Sequence, residues 1–412
     1  MKKVLIITSH FAPDAHVGAK RPTKFAKFLP EYGWQAVVLT EEITAYHRID
    51  GTMNDNLPSD LVINRVSRWR VLRFLDYQRW VDYAFSWIAP AFLNALRVLR
   101  QEKIEVVFAT APSYEAHLVG LLLKVFTGKR WVCEYRDHWI FSPEFAPKPK
   151  PIQALYQMLT KAILRNADHL VVVSQTMREL FVQLDSTCRH KFSVIYNGYD
   201  EDDFVGLNSA CQGDKMTITY LGTWGKAQTP EFFLRALAEL LRKRRELRKR
   251  IRVNFVGEVK WDPLLEARMS RQIEEQGLRD VIHIIPFLQH REGLSLLRTS
   301  DVLFLMVDPA HAQIGVLTAK LYEYLYTGKP ILALAPPGSE IAGIIERAKA
   351  GVIVSPEDVQ DIEDAIYKMW ELFQGGKLTS TADPRVVAEF DRRKQTAALA
   401  EIFNNLCRSR SL

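Results

Sequence analysis

The stretch Thr318-Ala-Lys320-Leu-Tyr-Glu323-Tyr-Leu-Tyr-Thr-Gly328-Lys-Pro330-Ile-Leu-Ala-Leu334 reads as a helix carrying one carboxylate, then a glycine stop, a proline and a buried strand. Glycine just past a helix, with proline soon after, is the usual stop signal. An apolar run at 302–307 precedes this stretch across a loop rich in Asp, Pro, His and Gly. Strand, loop, helix and strand in that order make one repeat of a parallel α/β sheet, with the helix opening near Val316. Free N–H groups at such a helix start suit a phosphate, and Glu323, slightly deeper, suits the hydroxyls of a ribose.

The same alternation fills the chain. Apolar runs at 4–8, 36–40, 106–110, 131–135 and 170–174 predict buried parallel strands, with amphipathic helices between them, for example at 20–30 and 114–127. A second series follows Val194-Ile-Tyr-Asn197-Gly198-Tyr-Asp200, with strands predicted at 217–221, 252–256, 281–285, 302–307, 331–335 and 351–354. The expected class is α/β, in two Rossmann-like, doubly wound domains over residues 1–196 and 197–385. The last segment, 386–412, predicts an amphipathic helix.

A chain of 412 residues has room for two such cores. Its 48% apolar and 25% charged residues fit a water-soluble globular protein and exclude a disordered or fibrous one. A net charge of +7 leans toward anionic partners, but spread over this length it does not predict nucleic-acid binding. Four dispersed cysteines without a C-x-x-C pair argue against zinc and against a disulfide framework. The apolar run after Met-Lys-Lys ends within four residues, too short for a signal peptide, and no 18-residue apolar stretch follows. The expectation is a cytoplasmic protein.

Between residues 65 and 100, Trp69, Trp80 and Trp87 lie among Arg70, Arg73 and Arg79. That mixture suits an anionic membrane surface or a lipid-linked ligand, and suits equally a helix packed on its own domain. The basic run from Arg242 to Arg250 reads first as a solvated helix end.

Several strand ends carry polar groups that could do chemistry. After the first strand comes His10-Phe-Ala-Pro-Asp14-Ala-His-Val-Gly18-Ala-Lys-Arg21, with one glycine before a helix and no G-x-G-x-x-G, so a dinucleotide fingerprint is absent. The run Trp131-Val-Cys-Glu-Tyr-Arg136-Asp137-His138-Trp139 places charged groups directly after a central strand, where open α/β sheets bind ligands. His117 lies early in a helix and suits a structural role at least as well as a ligand contact. Leu221-Gly222-Thr223-Trp-Gly-Lys226 is a strand, a glycine turn and a cation, which can approach a diphosphate.

Taken together, these segments resemble the GT-B glycosyltransferases of the large retaining family four, over nearly the whole chain and in order. Gly18 keeps the second glycine of the usual pair in the first loop, and Val17 replaces the first. Ala167-Asp168-His-Leu-Val-Val-Val-Ser174 and Val194-Ile-Tyr-Asn197-Gly198-Tyr-Asp200 resemble the family's "a-D-x-v-i-x-x-S" and "v-i-x-N-G-v-D". Leu221-Gly222 and the stretch through Glu323, Gly328, Lys329 and Pro330 resemble its donor-domain motifs, and Arg136-Asp137-x-Trp139 resembles a subgroup that builds bacterial surface polysaccharides.

The resemblance implies a cleft between the two domains, a UDP- or GDP-sugar donor, and a glycan or lipid-linked acceptor at the inner face of the plasma membrane. No resident cofactor or metal is implied. On the donor side it implies Glu323 at the ribose, Gly315, Val316, Leu317 and Thr318 at the diphosphate, Lys320 and Gly222 beside it, and Phe287 near the base. Arg136, Asp137 and Lys226 would stand near the reacting centre, and Gly18, Arg21, His117 and His138 near the acceptor. The last helix would cross back to the first domain. Three departures stand out: Gly315 replaces the first glutamate of a Glu-x7-Glu pair, Thr223 replaces an arginine, and Arg136-Asp137 replaces a histidine. A sugar-nucleotide epimerase of the same fold, or a weakly active scaffold in a polysaccharide assembly complex, are the alternatives.

Overall fold

The computed structural model describes the chain apart from residues 45–46, 55, 70–84, 113, 144, 208–212, 226–228, 258–262, 380–381 and 409–412. Lys226 and most of the aromatic window after Trp69 therefore lie outside the described residues. The chain forms two compact units. One comprises Met1–Asn197, Ile314–Val316 and Arg392–Leu412, and the other Gly198–Gln313 and Leu317–Asp391.

The first unit holds a seven-stranded parallel sheet of β1 (Lys2–Ile7), β2 (Trp34–Glu41), β3 (Val62–Val66), β4 (Ile104–Thr110), β5 (Arg130–Tyr135), β6 (His169–Val172) and β7 (Phe192–Val194). The order β3-β2-β1-β4-β5-β6-β7 reverses between β1 and β4. Because side chains alternate across a strand, each face builds its own core. Leu5, Ile7, Val37, Leu39, Val107 and Trp131 pack on one face, and Val4, Ile6, Ala36, Val38, Val106 and Phe108 on the other. The helix Arg392–Arg408 covers the second face through Leu399, Ala400 and Phe403, with the Phe403 ring edge-on to Trp34 and Phe108. That helix opens at Arg392, after a short helical turn at Pro384–Val387, rather than near residue 386.

The second unit holds a six-stranded parallel sheet of β8 (Met216–Leu221), β9 (Ile251–Val256), β10 (Ile282–Ile285), β11 (Val302–Met306), β12 (Ile331–Leu334) and β13 (Gly351–Val354). Its order β10-β9-β8-β11-β12-β13 reverses between β8 and β11. All six predicted strands are present to within one residue at each end. Two strands of the first sheet, β3 and β7, were not predicted. Trp87, in the predicted membrane-facing window, is fully buried with its indole N–H donating to the Val66 carbonyl, whereas Trp69 is exposed.

Reversal of strand order opens a crevice beyond the carboxyl ends of the two strands beside it. Both sheets therefore place their ligand-competent edges where β1 meets β4 and where β8 meets β11.

Candidate functional site

In the second unit the carboxyl end of β8 is crowded by backbone. Gly222 has φ +135, and a side chain there would meet the Lys320 amine at 2.6 Å. Its carbonyl also comes so close to Gly257, after β9, that a Cβ on that residue would lie 2.6 Å away. Only glycine leaves room for Lys320 at this position.

The predicted helix opens at Lys320, not near Val316, and runs to Thr327 with Gly328 in the left-handed conformation closing it. Spacing of three and four residues puts neighbouring side chains along one helix face. Lys320 Nζ donates to the Tyr220 hydroxyl at 2.7 Å and lies 4.1 Å from the centroid of that ring. Tyr324 accepts the Leu221 N–H at 3.0 Å, tying the same helix to the end of β8. Glu323 is buried and pairs at 2.9 Å with His290 Nε2, at the start of the helix His290–Arg298. Phe287, in the loop just before it, is 40% exposed, so its ring is open to a flat ligand. Lys320, Glu323, Gly222, Leu317, Thr318 and Phe287 belong to this unit.

Gly315 and Val316 belong to the first unit. The Ser174 hydroxyl donates to the Gly315 carbonyl at 2.6 Å, His138 Nε2 bonds the Ile314 carbonyl, and Val316 packs on the first core. This corrects the expectation that Gly315 and Val316 serve the diphosphate as part of the helix start. His138, expected at an acceptor, holds this tripeptide instead.

In the first unit, Glu134 at the end of β5 is the centre of a buried network. Its carboxylate accepts from Arg21 Nε and Nη2 at 2.9 and 2.8 Å and from the Thr110 hydroxyl at 2.6 Å. Burial opposes its ionisation, but the charges of Arg21 and Arg136 and these hydrogen bonds outweigh it and hold the carboxyl below its ordinary range. Arg21 spends its other donors on the Ile195 and Tyr196 carbonyls at 2.8 and 2.6 Å. With 1% exposure it is a structural ion pair, not the acceptor contact the sequence predicts.

Two further acceptor expectations fail on geometry. The Gly18 N–H is capped by His16 Nδ1 at 3.0 Å, and a Cβ on Gly18 would meet Pro112 at 3.0 Å, so this glycine serves packing. His117 has no exposure, and its Nε2–H donates to the Glu134 carbonyl at 2.8 Å. Burial pushes its pKa down to about 4 and keeps the ring neutral.

Burial likewise lowers His169 to about 4. Below the ordinary value near 6.5 the unfolded chain binds protons that these two folded histidines refuse. Stability is therefore expected to fall as pH drops from about 6.5 to 4, with no further loss from these groups below that. Urea midpoints across that range test this, and a His117→Asn chain should show a shallower fall.

Arg136 keeps the capacity for a ligand. Its Nη1 donates to the Gly18 carbonyl at 2.9 Å, while Nε and Nη2, both buried, have no partner among the described residues. Burial lowers its pKa to about 10, so it stays charged at neutral pH. Asp137 beside it is exposed. Glu134, Tyr220, Tyr324 and His290 carry roles that no motif announced, because each meets its partner across 33 to 113 residues of chain.

Comparison with known proteins agrees with this division of the chain. Residues 23–203 match the Glycosyltransferase Family 4 model, and residues 208–372 match Glycosyl transferases group 1. The D-inositol 3-phosphate glycosyltransferase of Saccharomonospora viridis is 24% identical over 249 residues, 58% of this chain and 56% of that protein. The chain spans about half the length of the curated relatives it matches. Anabaena HepE (Alr3699), solved with UDP and glucose, superposes with a TM-score of 0.71 at 15% identity over 98% of this chain and all of that one. Sucrose-phosphate synthase of Thermosynechococcus elongatus gives 0.71 at 14% over 99% and 100%. Among the described residues no helix is long and apolar enough to cross a membrane. Residues 23–203 and 208–372 thus each match a glycosyltransferase domain model, family 4 followed by group 1, and the chain has the GT-B fold.

Proposed function

We propose that the chain is a retaining glycosyltransferase that moves a sugar from a UDP- or GDP-linked donor to a glycan acceptor, carried on a lipid, in bacterial polysaccharide synthesis. The observation that carries this reading is the helix Lys320–Thr327, which sets a cation and a buried carboxylate at the carboxyl edge of β8. Lys320 meets the diphosphate and offsets the charge that grows on it as the sugar leaves, which is where catalysis of this kind gains most. Lys320 supplies that charge without a cation at the diphosphate. Glu323, oriented by His290, receives the ribose hydroxyls, and Phe287 lies against the base. UDP and UDP-glucose in HepE support the donor class.

On the first unit, Arg136 with its two unspent donors takes an anionic group of the acceptor, and Asp137 stands next to it. A phosphate on the acceptor fits that guanidinium, in keeping with the inositol phosphate named for the relatives. The retaining course rests on the family-four likeness. The protein's own work is positioning and charge stabilisation.

A calorimetric and thermal-shift panel of UDP, GDP, ADP and their sugars tests the donor half. One nucleoside diphosphate is expected to bind and raise the melting temperature. Glu323→Ala is expected to weaken it at least about tenfold, on the scale of one charged hydrogen bond, roughly 1.5–3 kcal/mol. Unchanged affinity in that variant removes Glu323 from the site. If every nucleotide leaves the melting temperature where it was, the donor reading fails and a scaffold is left.

A further inference from the structure

We propose that His10, Asp14 and His47 form a binding site for one divalent late transition-metal ion, of the zinc, cobalt or nickel class. One ligand atom from each lies within 4.8 Å of the other two. The cluster stands in the loops after β1 and β2 of the first unit.

The site is built on tied backbone rather than on loose side chains. The loop after β1 and the segment after β2 pair as a short antiparallel bridge at Asp14 and Ile49. Ala15 N–H donates to the Arg48 carbonyl and Asp50 N–H to the Pro13 carbonyl, both at 2.9 Å. Those bonds fix His47 opposite Asp14, although 33 residues separate them in the chain.

Each ligand is also oriented by a second group, as metal ligands are in working sites. Asp14 is 3% exposed, with Oδ1 accepting the His16 N–H at 3.0 Å and Oδ2 at 2.6 Å from His10 Nδ1. The His16 ring stacks on His10 with centroids 3.9 Å apart, which fixes the plane of that imidazole. His47 Nδ1 accepts the Thr44 N–H at 3.0 Å and faces the Thr44 hydroxyl at the same distance, which fixes the ring.

Two imidazoles and one carboxylate select late transition ions, whereas magnesium and calcium prefer an all-oxygen shell. Three protein ligands leave a fourth position for water or for an oxygen anion, the pattern of an open site rather than a closed structural one. Arg65 acts against the ion: its guanidinium donates to the Ala12 carbonyl at 2.6 Å and its charge is felt at Asp14. Affinity is accordingly set below that of a closed four-ligand zinc site.

The test is a cobalt(II) titration of the chelator-treated full chain, followed by visible ligand-field absorption and by calorimetry. The expected result is one ion per chain. His10→Ala and His47→Ala should each weaken binding at least about tenfold, the scale already reached by changing a group behind a ligand. Asp14→Asn, which keeps the shape, should do the same. His190→Ala, on an exposed turn, should bind as the parent does. Circular dichroism without metal verifies that each variant is folded, and should Asp14→Asn fail there, His47→Ala on its half-buried loop still decides. Zinc should also raise the melting temperature of the parent and not of His47→Ala. No saturable absorption, or parental affinity in both histidine variants, overturns the site. The readouts are independent of transferase activity, so they stand or fall apart from the donor reading.

Discussion

Replacing Glu134 by alanine is expected to cost the first unit about 3–5 kcal/mol, because it strands a fully buried guanidinium without its counter-ion. Arg21 is 1% exposed and Glu134 not at all, so water cannot replace either partner. Thr110 would lose the shorter of its two hydrogen bonds as well. Glu134→Gln keeps the volume but not the charge, and should lose most of the same stability. A double variant, Arg21→Met with Glu134→Leu, should be less damaged than either single one, since neither member of the pair is then left buried without its partner. Urea unfolding followed by tryptophan fluorescence reads this out. A Glu134→Ala midpoint equal to the parent's would show that the pair stabilises nothing.

A side chain at Gly315 is the second large effect expected. The residue has φ +75, and a Cβ there would lie 2.5 Å from Ser174 Oγ, 2.6 Å from the Met177 nitrogen and 2.9 Å from Thr176 Cβ. A left-handed non-glycine residue costs about 1–3 kcal/mol. Forcing atoms into packed backbone costs about 1–3 kcal/mol more. Gly315→Ala should therefore lower the melting temperature clearly, and Gly315→Glu at least as much, with no gain of activity. A Gly315→Glu chain as stable as the parent, or more active, would refute the packing account. The absence of the family's first glutamate is thus not a lost contact waiting to be restored. The local backbone has no place for it.

Much of the fold was legible because a parallel strand buried on both faces is an unbroken apolar run. That signal gave β8 to β13 and the inner strands of the first sheet. It failed at β3, where only the last residue of Val62-Ile-Asn-Arg-Val66 is buried, and at β7, which has three residues. The helix start moved to Lys320 because Ile314–Val316 is held by Ser174 and His138, partners that no local pattern reveals. Arg21 and His117 looked like ligand contacts because a polar residue early in the helix after a strand is ambiguous from sequence. It can face a crevice or neutralise a buried opposite charge, and only the position of Glu134 decides. Glu323 was legible as a carboxylate on this helix, and Lys320 from the family resemblance, while His290 and Tyr220, which orient them, were not.

The helix Arg392–Arg408 has a consequence for biosynthesis. It supplies Leu399, Ala400 and Phe403 to the second face of the first sheet, yet it is made only after the whole of the second unit. The second unit is complete once residue 391 has emerged, apart from the tripeptide 314–316 that it lends. The first unit keeps Trp34 and Phe108 without their covering phenylalanine until the second unit has been made. Order of synthesis and order of completion are therefore reversed for the two units, and the amino-terminal one has the longer exposure to chaperones and to misassembly.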